Sequence, residues 1–241
     1  GVITCCAVGN TQTDTIATVA SPAVAAKSVA VTATTKSGTG LFLSQGPTPD
    51  GRLKPDICAP GLDIIAARAS GTTMGFAVDA YYVKASGTSM AAPHVVGVTA
   101  LLKQAHPSWT PKELKNALLL SARNIGLPSW KVGLGLVDAV KAMNVDVVLS
   151  NLGEVNFGLL DSTTGSQTFL VESGSLTFAE NDPYLSLSTT SAGAGTSVTA
   201  SLSIPASFEG PCYEIPITVT SANGTYRMVA FFVRASTITF R

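Results

Sequence analysis

Charge is scarce in this 241-residue chain: fifteen Lys and Arg stand against fifteen Asp and Glu, together 12% of residues, where an average globular chain carries roughly 25%. The two signs cancel and form no block, which argues against nucleic acid or an anionic membrane as the main partner. Long hydrophobic runs are absent too, and none reaches the roughly 18 apolar residues of a membrane span. The four cysteines, Cys5, Cys6, Cys58 and Cys212, are too few and too irregularly spaced for a zinc site or a disulfide framework. Adjacent Cys5 and Cys6 would face opposite sides of a strand, and buried free thiols are the expected state. Nothing basic stands beside Cys58 in the sequence to make it a thiolate nucleophile. Histidine is the shortage with the largest consequence, since His94 and His106 are the only two. Nor does a basic leader precede Gly1, which opens at once on an apolar run and reads as a chain whose beginning lies upstream.

What is present is apolar residue, 46% of the chain. That supply implies extensive two-sided burial, and the length suits one large domain or two modest ones. The most informative stretch is Gly87-Thr88-Ser89-Met90-Ala91-Ala92-Pro93-His94-Val95-Val96-Gly97, which runs on into an apolar segment to Leu102. Small residues and hydroxyls precede a helix-like segment with Pro93 near its start, where a missing N–H costs least. A serine there lies among free backbone N–H groups at the positive end of the helix dipole, a good place to hold a developing oxyanion. The plainer reading makes Ser89 only the N-cap of a buried helix.

Gly87 to Gly97 resembles the nucleophile motif of the subtilisin-like serine proteases, the subtilases, in a long and specific match. Ala7-Val8-Gly9-Asn10 is similar to the subtilase segment that ends in the oxyanion-hole asparagine. Acyl transfer needs such an amide, because its N–H and the serine's own N–H must converge on one carbonyl oxygen. The resemblance implies catalytic roles for Ser89 and Asn10, and contact of Ala7 and Gly9 with the substrate's main chain or side-chain pocket. No cofactor is needed for that chemistry. Calcium, frequent in the family as a stabiliser, has no recognisable acidic loop here.

The rest of the chain extends the likeness. Val2 to Val8 reads as a buried strand of a parallel sheet, and Val29 to Ala33 as a second. The stretch from Phe42 to Gly61 is rich in Pro and Gly, an extended surface loop that no helix could follow. It is close to the subtilase stretch before the nucleophile, with Gln45 where arginine is common. Met90 to Gln104 is apolar nearly all round, as a buried helix must be. Thr110, Pro111 and Glu113 then form a helix start, with Leu114, Ala117, Leu118 and Ser121 on its buried face.

Beyond about Asp146 helical periodicity ends. Short alternating runs at 167–171, 197–204, 214–220 and 226–233, with the turn signal Asn223-Gly224, indicate an antiparallel sandwich. The segment from Gly210 resembles the fibronectin-III-like domains that trail some larger subtilases. The expected architecture is therefore α/β: a partial subtilisin-like parallel sheet with flanking helices over 1–146, then an all-β antiparallel sandwich over 147–241.

A serine nucleophile needs an imidazole within about 3 Å. His94 lies five helix positions on, roughly 140° round the axis, and His106 would be roughly 25 Å away; neither serves. The resemblance gives His94 a packing role. Asp14, Asp50, Asp56, Asp63 and Asp79 all follow Asn10, whereas in the family the triad Asp and His precede that asparagine, so none is assigned. The sequence thus implies a serine endopeptidase acting on protein or peptide substrates, secreted or extracellular, seen as a fragment inactive alone whose partner is the missing N-terminal half carrying Asp and His. The competing reading is an inactive subtilase scaffold whose sandwich binds a partner. A third, an adhesion or carbohydrate module, lacks an aromatic platform.

Overall fold

A computed structural model describes residues 1–12, 15–39, 43–208 and 210–234. Asp14 and Phe42 lie outside the described residues. Three strands, β1 (Cys5–Ala7), β2 (Val29–Thr34) and β3 (Ile57–Pro60), form a parallel sheet in the order β1-β2-β3. Central β2 is buried along its whole length. The first strand is only half-buried and much shorter than the apolar run suggests, with Val2 86% exposed. As the edge of the described sheet it has a neighbour on one side only, which corrects the expectation of a fully buried strand. Cys5 packs against the main core and Cys6 against a separate cluster of Val8, Val19, Ala23 and Ala30, so the pair does straddle the sheet.

The Pro/Gly-rich segment is not the surface loop expected. Residues 43–48 and 53–59 are buried, and Pro49 and Asp50 are exposed between them. Burial is tolerated because the backbone polar groups find partners: Gly46 N–H donates to the Trp130 carbonyl at 2.8 Å, and Thr48 N–H to that of Arg52 at 2.9 Å. A small antiparallel sheet follows, ordered β4-β6-β5, from β4 (Ile64–Ala67), β5 (Phe76–Ala77) and β6 (Tyr82–Ala85). It leaves Phe76 and Tyr81 each 77% exposed.

Helix α1 (Thr88–Ala105) packs across the parallel strands through Thr88, Ala91, Val95, Thr99 and Leu102, the three-and-four spacing of one helix face. Its other side is open, with Val96 50% and Leu101 53% exposed. An apolar sequence all round therefore does not mean burial all round in this chain. Helix α2 (Pro111–Ser121) starts as its sequence dictates: Thr110 accepts from Glu113 N–H, Glu113 reaches back to Thr110 N–H, and Pro111 occupies the first turn. Two short helices, α3 (Ser129–Val132) and α4 (Ala139–Met143), complete this half.

The remaining strands are β7 (Val148–Leu149), β8 (Glu154–Leu160), β9 (Thr164–Ser173), β10 (Ser175–Glu180), β11 (Leu185–Leu187), β12 (Ser191–Gly193), β13 (Ser197–Ser203), β14 (Cys212–Ser221) and β15 (Gly224–Arg234). They make a five-stranded sheet, β12-β10-β14-β15-β8, and a four-stranded one, β11-β13-β9-β7. Ser221 pairs with Gly224, so the hairpin forms but its two-residue loop is Ala222-Asn223, one position before the one the Asn223-Gly224 signal marks, and Gly224 opens β15. A departure from the antiparallel expectation is β8, which runs parallel to β15. Phe169 and Phe178 meet edge to face at 5.7 Å between the two sheets. One hydrophobic cluster runs unbroken from Val29 through α2 to Val233, and Trp130 against Phe231 ties the two halves together.

Candidate active site

The C-terminal ends of the parallel strands meet the start of α1, the crevice in which open α/β sheets bind their ligands. Beyond β1, Val8 N–H still bonds the Val31 carbonyl at 3.1 Å. Gly9 then turns the chain with φ of 101°, a left-handed conformation that glycine adopts freely. A Cβ there would also sit 2.9 Å from Ser44 Oγ. Thr11 N–H donates to that same buried hydroxyl at 3.1 Å. Asn10 is thus held from both sides by its neighbours' backbone.

From the other direction, Gly61 N–H bonds the Thr34 carbonyl and Gly87 N–H bonds the Gly61 carbonyl, each at 2.8 Å. These links seat the start of α1 beside the ends of β2 and β3. Gly87 is the N-cap, at φ of 146° and with no side-chain cap. Ser89 is therefore not the cap but the second helical residue, and its N–H is one of the four that a helix leaves without an internal acceptor. Its side chain is exposed. Pro93 is the sixth residue of the helix, deeper than the sequence suggested, so the N–H it lacks is the one that would have bonded the Ser89 carbonyl.

Asn10 and the start of α1 are joined directly. Asn10 Oδ1 accepts from Thr88 N–H at 3.0 Å and from Thr88 Oγ1 at 3.1 Å. The whole amide lies close against Gly87, where a Cβ would stand 3.1 Å from Nδ2 and 3.3 Å from Oδ1. Ala7 ends β1 and Gly9 precedes Asn10, so all four residues singled out in the sequence belong to two adjoining segments. Thr88 and Ser44 are the additions: Thr88 lies inside the motif, and Ser44 in the Pro/Gly-rich stretch, where nothing local marks its hydroxyl.

The histidines lie elsewhere in role. His94 is exposed rather than packed, and its Nδ1 sits 2.8 Å from the Met90 carbonyl one turn back. Among the described residues His94 has no packing partner, since it stands on the open face of α1. His106 caps the far end of α1 and stacks on Trp109 at 3.8 Å. The described aspartates are committed as well. Asp56 is buried between Lys54 and Lys115, Asp50 pairs with Arg52, Asp63 with Lys84, and Asp79 accepts from Tyr81 and Tyr82 N–H. All four cysteines are free thiols, and burial pushes Cys58 up to about 12, unsuited to nucleophilic work. No three His, Cys, Asp or Glu side chains gather as metal ligands among the described residues.

The sequence profile of the subtilase family matches residues 1–137. This chain belongs to the subtilase family. The serine protease AprX of Bacillus subtilis (strain 168) is 37% identical over 158 residues, covering 58% of this chain and 34% of that protein. Subtilisin-like protease SBT4.14 of Arabidopsis thaliana is 48% identical over 90 residues, covering 35% and 12% respectively. The prenylagaramide maturation protease PagA, a solved structure, is 28% identical with a TM-score of 0.47, covering 59% of this chain and 49% of that one. The chain spans about a third or less of the length of these two curated relatives. A subtilase assignment makes this a member of an enzyme family of serine proteases. No helix among the described residues is long and apolar enough to cross a membrane.

Proposed function

We propose that this subtilase chain is the nucleophile and oxyanion half of a serine endopeptidase that cleaves protein or peptide substrates, with its triad Asp and His supplied by an upstream segment. In the proposed reaction Ser89 Oγ attacks the scissile carbonyl while the upstream histidine takes the hydroxyl proton. The carbonyl oxygen, now negative, is held by Asn10 Nδ2–H and Ser89 N–H. Collapse expels the amine, which receives the proton from the histidine, and water then releases the acyl group by the same route. Ala7 and Gly9 line the substrate's main chain, and no cofactor enters.

The observation that carries this reading is the hydrogen-bonded union of Asn10 with Thr88, the residue before Ser89. The need for a partner segment is supported by the positions of His94 and His106 and by the open apolar side of α1, with Val96 and Leu101 half exposed. The open edge of β1 gives a further strand a place to pair. The division into a catalytic part over 1–146 and a fibronectin-III-like sandwich over 147–241, together with a secreted location, belongs to the same proposal.

A fluorophosphonate probe on the full-length protein tests it. Labelling at Ser89 that Ser89→Ala abolishes supports the reading, as does the absence of labelling when this 241-residue chain is used alone. Labelling that survives Ser89→Ala places the nucleophile elsewhere. A full-length protein that never labels is the inactive scaffold instead.

A further inference from the structure

Asn223 and Gly224 carry more than a turn signal. Thr225 follows them, so residues 223–225 read Asn-Gly-Thr, a triplet of the Asn-x-Thr type at which an asparagine amide accepts an N-linked glycan. No other asparagine in the chain has Ser or Thr two positions on. The plainer explanation is that Asn223 serves only the hairpin it helps to mark.

The hairpin does not use the Asn223 side chain. Outside glycine, positive φ among the described residues is confined to Ala17, Asp63 and Leu152, so Asn223 does not take the left-handed conformation for which turns select asparagine. Its backbone N–H is committed, donating to Asp146 Oδ2 and to Ser221 Oγ, each at 3.3 Å. Any residue but proline could supply that N–H. The side-chain amide, by contrast, makes no hydrogen bond among the described residues, and Asn223 stands exposed in the loop beside exposed Ala222. Gly224 holds φ of 156°, which L side chains rarely adopt, so the middle position answers to the backbone. Thr225 is exposed as well, with its Oγ1 3.4 Å from that of Thr220 on the facing strand. The amide and the hydroxyl that define the triplet thus lie together at one exposed hairpin tip.

We propose that Asn223 is an N-glycan acceptor, with a lipid-linked oligosaccharide phosphate as the donor and a host transferase as the catalyst. Asn223 Nδ2 bonds to the anomeric carbon of the sugar as that carbon's bond to the phosphate oxygen breaks. The lipid phosphate leaves with the electron pair, and the amide gives up one proton. The folded chain accommodates the product, because the glycan grows outward from a two-residue loop and displaces no packed side chain. Where charged residues are only 12% of the chain, it also adds hydrated surface that the side chains supply sparingly. The inference rests on the secreted location proposed above and is independent of the chemistry at Ser89.

The full-length protein, carried into the secretory lumen of a eukaryotic host by a signal peptide, tests the site through mass spectrometry of the peptide spanning Asn223. That peptide is expected to carry hexose and N-acetylhexosamine mass, which peptide-N-glycosidase in heavy-oxygen water removes, leaving a labelled aspartate at position 223. Asn223→Gln and Thr225→Ala are each expected to abolish the modification, and Thr225→Ser to retain it. A wild-type peptide without sugar overturns the proposal, whether Asn223 is intact or has become aspartate through attack of the Gly224 nitrogen on its amide. A glycan at Asn223 that survives Thr225→Ala overturns it too. Should a variant fold poorly, the peptide of the unaltered protein decides by itself, and fluorophosphonate labelling of Ser89 in the same preparation reads the protease proposal separately.

Discussion

Asn10 and Thr88, 78 positions apart in the chain, are joined by two hydrogen bonds to one oxygen: Thr88 N–H and Thr88 Oγ1 both donate to Asn10 Oδ1, at 3.0 and 3.1 Å. Two donors on Oδ1 fix which end of the amide is which, so that Nδ2, a pure donor, takes no part in the Thr88 contact. The α1 N-terminus and the turn after β1 thus become one unit, and the proposed oxyanion cradle exists only because they do.

Thr88→Val in the full-length protein should therefore lower kcat by about fivefold, the worth of one hydrogen bond of about 1 kcal/mol, with little change in KM. Thr88→Ser should restore it. A Thr88→Val enzyme with unchanged kcat would show that the backbone bond alone orients Asn10.

Asn10→Ala should cost about 10²–10³ in kcat, a magnitude established on subtilisins for loss of an oxyanion donor and carried over to this relative. Steady-state kinetics with a peptide substrate measure it. A drop seen only in KM would assign Asn10 to ground-state binding instead.

Asp56→Asn strips the counter-charge from two ammonium groups that are themselves buried, Lys54 and Lys115. The expected destabilisation is about 3–5 kcal/mol, because each ion is left in a low-dielectric site without its partner. Urea unfolding of the full-length protein is the measurement. A loss under about 1 kcal/mol would mean that water reaches the cluster and screens it.

Burial pushes the thiols of Cys58 and Cys212 up to about 12. At pH 8 both should resist iodoacetamide in the native protein and react only on unfolding, since the thiolate is the reacting form. Mass spectrometry of the labelled peptides reads the outcome, and fast native-state labelling at Cys58 would contradict its burial.

Much of the fold was legible because it is written in local physics. Thr110, Pro111 and Glu113 specify the start of α2 by their own side chains, and Asn223-Gly224 marks the hairpin, although the loop itself falls on Ala222-Asn223. The Pro/Gly-rich segment reads as surface but is buried over 43–48 and 53–59, because its composition reports conformation, not depth. Its burial depends on carbonyls supplied by Arg52 nearby and by Trp130 far along the chain. Likewise α1 looks buried all round, since periodicity cannot say how many neighbours a helix has.

Sequence alone marked the candidate nucleophile segment, the asparagine turn and the start of α2, because each depends on residues within a few positions of one another. Tertiary structure decided that Ser89 sits one residue inside its helix, that Thr88 holds Asn10, and that Lys115 reaches Asp56. The last two join residues tens of positions apart, and only the packing of α1 and α2 against the sheet brings them within reach.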